Sequence, residues 1–447
     1  MKRRAILGAL VASLVLCSPA SAQQFTPGAQ TLNDRLFPTI GNGGYDVQHY
    51  DLTIDYDPEA NSMVASTDIT IRATQNLSQF SLDLHRSLNV TGVTIDGVPA
   101  TVTRPEGTDK VVITPAAGIV NNRVFHAVVS YSGTPVQVQD PDGSFEGWAR
   151  ITSGGFVVNE PIGAMGWFPS NNHPSDKATY DFHITVPDTH TALGNGELVE
   201  KVDNDGPTTT WHWQMTIPMT TYLSTSTVGL FDFRTWTAPP SPGAVGPDGQ
   251  PLVFYDAIES ALSATQKANA LAAADRQDDI ITFIADEIGA PYPFHSHGVV
   301  LHRTSLGYAL EVQTKSHFSG SAIGAGTLAH EITHQWFGDH VTIDSWSDLW
   351  FNEGFATWWA WYWNNKENGA ATTVEQQFAN NYNQTSNPTR WNTPPGNLPG
   401  PQVLFSNFPT YTRPAMMLEA YRQIVGHSTF MAFQRALLAE HGGGDIN

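Results

Sequence analysis

His330-Glu331-Ile332-Thr333-His334 decides the reading of this chain, together with Asn352-Glu353-Gly354-Phe355-Ala356 downstream. Residues four apart on a helix share a face, with Cβ atoms roughly 5–6 Å apart. A helix at 330–334 therefore offers two imidazoles as neighbouring corners of a tetrahedral metal site. Glu353, 19 residues after His334, can return on a second helix as the third ligand, leaving the fourth corner open to water. Glu331 follows His330 directly and projects beside the metal instead of at it, which is the place for a general base. A helix with two core histidines is the plain alternative; the matched carboxylate on its own helix is what turns the pair into a triad. A rival third ligand, His340, lies six residues after His334, but Phe337 stands where a sharp turn needs glycine, and Gly338 comes one residue late. His340 is therefore expected near the surface or behind the ligands. His295, His297, His302 and His317 have no ligand spacing and are expected to line a groove or face solvent. Asp339, Asp348 and Thr357 are the candidates to hold the ligating rings.

The donor set points to zinc, one ion per chain. The only cysteine, Cys17, falls in a segment that reads as a secretory leader: basic Lys2, Arg3 and Arg4, an apolar run from Ala5 to Leu16, and small residues at Ala20-Ser21-Ala22. Leu16 before Cys17 is too bulky for a lipid-attachment site. Beyond residue 22 there is no thiolate, so any metal must rest on histidine and carboxylate. The net charge of −20 argues against nucleic acid and anionic membrane as partners, and no later apolar run reaches the length of a membrane span. An exported protein, periplasmic or secreted, is expected.

Working outward, residues 44–236 read as β structure. Tyr50, Leu52, Ile54 and Tyr56 alternate with Asp51, Thr53 and Asp55; Ile69, Ile71 and Ala73 alternate with Asp68, Thr70 and Arg72; Phe80, Leu82 and Leu84 repeat the pattern. Period-two alternation marks half-buried antiparallel strands. Pro and Gly crowd into 237–251, which places the expected division between a β-rich domain (44–240) and a catalytic domain (241–447), after a leader (1–22) and a linker (23–43). One helix is expected over 265–288 and two short strands near 298–302 and 308–314. The motif helix is expected over 327–337, a second helix over 348–366 with a Ser345/Asp348 capping box, a long surface loop over 380–410, and a last helix over 414–438.

The zinc segment, with Gln335-Trp336-Phe337-Gly338-Asp339 and Asp348-Leu349-Trp350-Phe351 flanking it, resembles the aminopeptidase N family of gluzincins, which includes the leukotriene-A hydrolase relatives. The resemblance implies an α+β multidomain protein: an antiparallel β-sandwich or saddle domain followed by a thermolysin-like α/β zinc peptidase domain. Only a short stretch follows Tyr411, so the family's C-terminal helical domain is expected to be absent or truncated and the groove open. The resemblance also implies site residues. Gly307-Tyr308-Ala309-Leu310-Glu311 stands at the family's Gly-Ala-Met-Glu-Asn strand, which makes Gly307 and Ala309 substrate-lining and Glu311 the anchor of a substrate α-amine. Leu310 and Val312 depart from the family pattern, which bears on the shape of the first side-chain pocket. Glu160, in Val158-Asn159-Glu160-Pro161, resembles the family's second amine-binding residue. Tyr411 resembles its tyrosine at the oxyanion. An α-amine has a pKa near 8 and is cationic at neutral pH, so carboxylates at one end of a groove select N-termini.

The expected function is thus removal of N-terminal residues from peptides with a free amine. A thermolysin-like endopeptidase shares the ligand set and needs no Glu311. A non-catalytic zinc-retaining peptide-binding protein is the reading from another class, against which the intact Glu331 and Tyr411 speak.

Overall fold

The computed structural model describes residues 24–239 and 243–446; the leader expected at 1–22 lies outside the described residues. Alternation in the first half does produce strands. An eight-stranded sheet runs in the order Glu197–Asp203, Thr208–Thr220, Lys177–Pro187, Tyr45–Asp57, Ser62–Ala73, Val124–Gly133, Leu88–Ile95, Val98–Pro99. Its pairs are antiparallel except Lys177–Pro187 against Tyr45–Asp57. Tyr50, Leu52, Ile54 and Tyr56 are buried on one face, while Asp51, Thr53 and Asp55 face away, as a pleat requires. A five-stranded sheet (including Phe145–Ile151 and Gly154–Val158) and a four-stranded sheet (including Leu77–Asp83 and Lys110–Thr114) complete the β layers. Glu160 follows the fully buried strand Gly154–Val158 by two residues.

The second half opens with a mixed sheet. Val253–Glu259, Val299–His302 and Ser316–Ser319 are parallel neighbours, and Ala309–Leu310 closes the edge antiparallel to Ser316–Ser319. Strand Phe231–Thr237, ahead of the Pro/Gly-rich stretch, hydrogen-bonds Val253–Glu259 in this same sheet. Helices follow, so the chain is an α+β assembly with a β-rich first half and a helix-rich second half. Among the described residues no helix is long and apolar enough to cross a membrane.

Several element boundaries differ from expectation. The helix expected over 265–288 is two, Ala264–Ala274 and Gln277–Ile288. The chain tightens where Arg276 N–H bonds the Ala273 carbonyl, and Asp275 is held by Arg234 at 2.7 Å. The last helix breaks at Gly426 (φ +84) into Arg413–Val425 and His427–His441. Short 3-10 turns at Pro388–Asn392 and Pro401–Val403 interrupt the loop expected over 380–410. The capping box at Ser345/Asp348 does not form. Ser345 Oγ accepts from Ser347 N–H and donates to Asp34 Oδ2 at 2.9 Å, so a loop from the start of the chain takes over that terminus. Helix Trp350–Lys366 starts two residues later than expected.

That helix is the keystone of the second half. Trp358, Trp359 and Trp363 are fully buried. Trp358 donates its indole N–H to Glu419 and Trp359 to Gln434, which satisfies the polar edges of these two rings and ties the helix to the last two of the chain, Arg413–Val425 and His427–His441. Gly354 lets the chain after Tyr411 come close: a Cβ there would meet Pro414 Cβ at 2.5 Å.

Candidate active site

Helix Ala325–His334 and helix Trp350–Lys366 pack against each other and bring three side chains to a point. His330 Nε2 lies 3.0 Å and His334 Nε2 3.5 Å from the same oxygen, Glu353 Oε2. Ligands bound to one zinc at ~2.0–2.1 Å in a tetrahedron stand ~3.4 Å apart, so the two separations bracket the edge that zinc needs. His334 presents Nδ1 to the Phe337 carbonyl at 3.2 Å; that bond fixes the ring and leaves Nε2 as the lone pair toward the metal position. The holder of this ring is thus a backbone carbonyl, one that none of the candidates Asp339, Asp348 and Thr357 supplies. Asp348 instead bonds the Trp350 indole, and Thr357 lines the groove. Burial pushes the Glu353 carboxyl up, but His334 and the bonds from both imidazoles bring it down to about 2, so it is held ionised.

The triad opens into a groove of about 720 Å³ that also takes in Glu160, Gly307, Ala309, Glu311, Glu331 and Tyr411. Every residue proposed for the site from the sequence therefore reaches one pocket. Glu331, Glu311 and His334 bring ligand-type atoms within 4.8 Å of one another. Burial drives the carboxyls of Glu160, Glu311 and Glu331 upward, and their neighbouring carboxylates add to this. Four glutamates in one buried pocket form a site that calls for positive charge. A divalent ion at the triad answers part of that demand and an ammonium the rest.

Two features mark this part of the groove. Among the described residues, Glu160 Oε1 and Glu311 Oε1 are buried without a hydrogen-bond partner, which is costly unless a donor arrives. Glu311 is also fixed by a residue that the spacing argument passed over. Gln335, immediately after His334, donates Nε2–H to the Glu311 carbonyl at 2.8 Å and accepts from Thr314 N–H at 2.8 Å. Thr314 has φ +67, a conformation that a side chain other than glycine adopts only when held. Its position in the motif was visible; its partner, across a chain separation of 24 residues, was not.

Tyr411 arrives from the other side on the segment Asn407–Thr412, its ring stacked 6.1 Å from the His330 ring at 23°. Burial raises its phenol well above the ordinary range, so it remains a proton donor at neutral pH. Three of the remaining histidines differ from expectation. His297, His302 and His317 are buried in the mixed sheet. His297 meets the Tyr292 hydroxyl at 2.8 Å, His302 meets Glu259 at 3.2 Å, and His317 meets the Thr227 hydroxyl at 3.1 Å. Polar partners from the sheet and from the segments packed on it make those burials possible. His295 is half-buried near Asp248. His340 packs edge-on against Phe294, and the groups whose ligand atoms converge do not include it.

Comparison with known proteins falls in line with this geometry. Residues 46–223 match the peptidase M1 N-terminal domain, and residues 272–447 match the peptidase family M1 domain. The glutamyl aminopeptidase of Sus scrofa is 31% identical over 225 residues, 46% of this chain and 22% of that protein. The glutamyl aminopeptidase of Bos taurus is 28% identical over 352 residues, 69% of this chain and 34% of that protein. The matches thus span about a fifth to a third of these relatives' length. Among solved structures, the M1 zinc metallopeptidase from Deinococcus radiodurans superposes with a TM-score of 0.79 at 26% identity, covering 94% of this chain and 92% of that one. A two-domain M1 zinc metallopeptidase mutant bound to L-arginine gives 0.81 at 27%, with the same coverage.

Proposed function

The chain belongs to the M1 peptidase family, and on that premise we propose that it is a zinc-dependent aminopeptidase that removes the first residue of peptides with a free N-terminus. One observation carries the proposal: the unpartnered buried oxygens of Glu160 and Glu311 beside the His330–His334–Glu353 triad. Both oxygens line the groove beside the triad and lack a donor, a setting that suits the α-ammonium of a chain terminus. Structures of M1 relatives hold L-arginine, L-tryptophan and Tyr-Ser-Ala, which supports short peptides and single residues as ligands of this site.

One zinc held by the triad supplies Lewis acidity, which polarises a carbonyl and acidifies water beside it. The chain's own groups do the rest. Glu160 and Glu311 take the ammonium and so set the first peptide bond next to Glu331. Glu331 accepts a proton from the attacking water and returns it to the leaving amine. Tyr411 donates its phenol proton in a hydrogen bond to the carbonyl oxygen as that oxygen gains charge. The basic and apolar pattern of residues 1–22 supports an exported location, periplasmic or extracellular; fractionation with sequencing of the mature N-terminus tests it.

The activity is tested with a tripeptide and its N-acetylated form. Loss of the first residue from the free peptide alone is expected. Internal cleavage, or equal hydrolysis of the acetylated peptide, would instead favour a thermolysin-like endopeptidase. Binding of peptides without any product would leave a binding protein.

A further inference from the structure

The outward face of the eight-stranded sheet carries a histidine–carboxylate cluster that the groove does not use. Strands Tyr45–Asp57, Lys177–Pro187 and Thr208–Thr220 lie side by side. Alternation turns Tyr50, Tyr180, Phe182 and Trp213 into the core, which leaves His49, Asp51, Asp181, His183 and His212 on the other face, partly exposed. His183 stands directly opposite His212 in the antiparallel pair. In the parallel pair Thr179 is level with His49, and Asp181 with Asp51. Strand register alone thus gathers three imidazoles and two carboxylates.

Their spacing is that of a metal site. One ligand-type atom each from Asp181, His183 and His212 lies within 4.8 Å of the other two. Asp181 Oδ1 is 2.6 Å from His212 Nε2, and Asp181 Oδ2 is 3.4 Å from His49 Nε2. The His183 and His212 rings stack with centroids 4.1 Å apart. Zinc ligands stand ~3.4 Å apart, so small side-chain rotations at the surface close the set. His183 and Asp181 keep 33% and 15% of their side chains exposed, which leaves an entry path for an ion.

The hydrogen bonds prepare the set for a cation. His49 Nδ1 pairs with the Thr179 hydroxyl at 2.8 Å, which leaves Nε2 turned toward Asp181 Oδ2 at 3.4 Å. Gln214 donates to both oxygens of Asp181, at 3.1 and 3.3 Å, and orients that carboxylate as outer partners of metal ligands do.

We propose that Asp181, His183 and His212, with His49 as fourth ligand, form a second metal site, specific for a first-row divalent ion of the zinc class and distinct from the groove. An imidazole-rich set favours zinc, nickel or copper over magnesium or calcium. Three imidazoles and one carboxylate fill all four corners, so this ion clamps three strands together and leaves no position for substrate.

The test uses untagged, zinc-loaded full-length protein. After equilibrium dialysis against zinc, elemental analysis should find two ions per chain in the wild type and one in the His183→Ala/His212→Ala variant. The variant's kcat/KM should stay within about twofold of wild type, since its ligands lie outside the groove. Added zinc should raise the Tm of the wild type by more than that of the variant, which keeps only the groove site. Asp181→Asn keeps the shape of the side chain and should weaken the second equivalent about tenfold or more while leaving the first unchanged. One ion per chain in the wild type, two in the double variant, or an unchanged second affinity in Asp181→Asn would each overturn the proposal.

Discussion

Gln335 Nε2 donates to the Glu311 carbonyl at 2.8 Å, so the cap of the helix that carries the proposed metal ligands also holds the residue proposed as the amine anchor. Amine position and metal position are thereby set against each other by one carboxamide. Removing it should loosen their spacing without removing any group that touches substrate. Gln335→Ala is expected to lower kcat/KM by about 10²-fold, the scale of a misplacement near 1 Å, with metal content unchanged. Steady-state kinetics with elemental analysis checks this.

The proposed function makes Glu160 and Glu311 separate handles on the same ammonium. Glu311→Ala should cost about 10²-fold in kcat/KM, from a charge-assisted bond worth roughly 1.5–3 kcal/mol. The loss should be large for free peptides and absent for any residual hydrolysis of N-acetylated ones. An equal loss on both would place Glu311 elsewhere in the reaction.

Tyr411→Phe keeps the ring stacked on His330 and deletes only the phenol donor. A fall of about 10²–10³ in kcat with little change in KM is expected for a donor that acts mainly in the transition state.

Gly354 tests whether packing places that phenol. A methyl group at this position meets Pro414 Cβ at 2.5 Å, and Pro414 lies three residues after Tyr411. Gly354→Ala should therefore reduce kcat by more than its modest change in Tm would suggest, and a Pro414→Gly partner, which removes the Cβ that the new methyl meets, should restore part of the loss.

Asp34 holds the first loop to the turn before the Glu353 helix. Its Oδ2 accepts from the Ser345 hydroxyl and from Trp346 N–H, both at 2.9 Å. Burial pushes its carboxyl up, but these bonds, with those from His173 and Phe37, carry it well below the usual carboxylate range. A depressed folded-state value means that the stabilisation is complete above the unfolded value of about 3.9 and fades as pH falls below it. Asp34→Asn, which turns one acceptor into a donor facing donors, should cost about 2 kcal/mol at neutral pH. The gap between the two proteins should narrow below about pH 4, as thermal unfolding over a pH series would show.

How much of this could be read in advance follows from the range of each interaction. His330 and His334 are related by a single helical turn, so their convergence was legible, and Glu353 joined them through a motif of its own. The alternating strands were legible for the same local reason. Glu160, Glu311 and Tyr411 came through family resemblance alone, because nothing in their neighbouring residues announces a shared pocket. The Gln335–Glu311 bond, the Gly354–Pro414 approach and the Asp34 cap escaped notice because each depends on distant segments meeting. His297, His302 and His317 are expected to line a groove or face solvent and are instead buried, because their buried partners, Tyr292, Glu259 and Thr227, are visible only in the fold. The break at Gly426 carried a glycine signal; the one at Asp275 depends on Arg234 from another strand.

The most direct test measures zinc content and turnover of a free tripeptide on the same samples of wild type, Glu331→Gln and Glu353→Ala. Glu331→Gln should keep the wild-type zinc content and lose turnover by several orders of magnitude, whereas Glu353→Ala should lose one zinc per chain and turnover together. A Glu353→Ala protein with undiminished zinc and undiminished turnover would contradict the account.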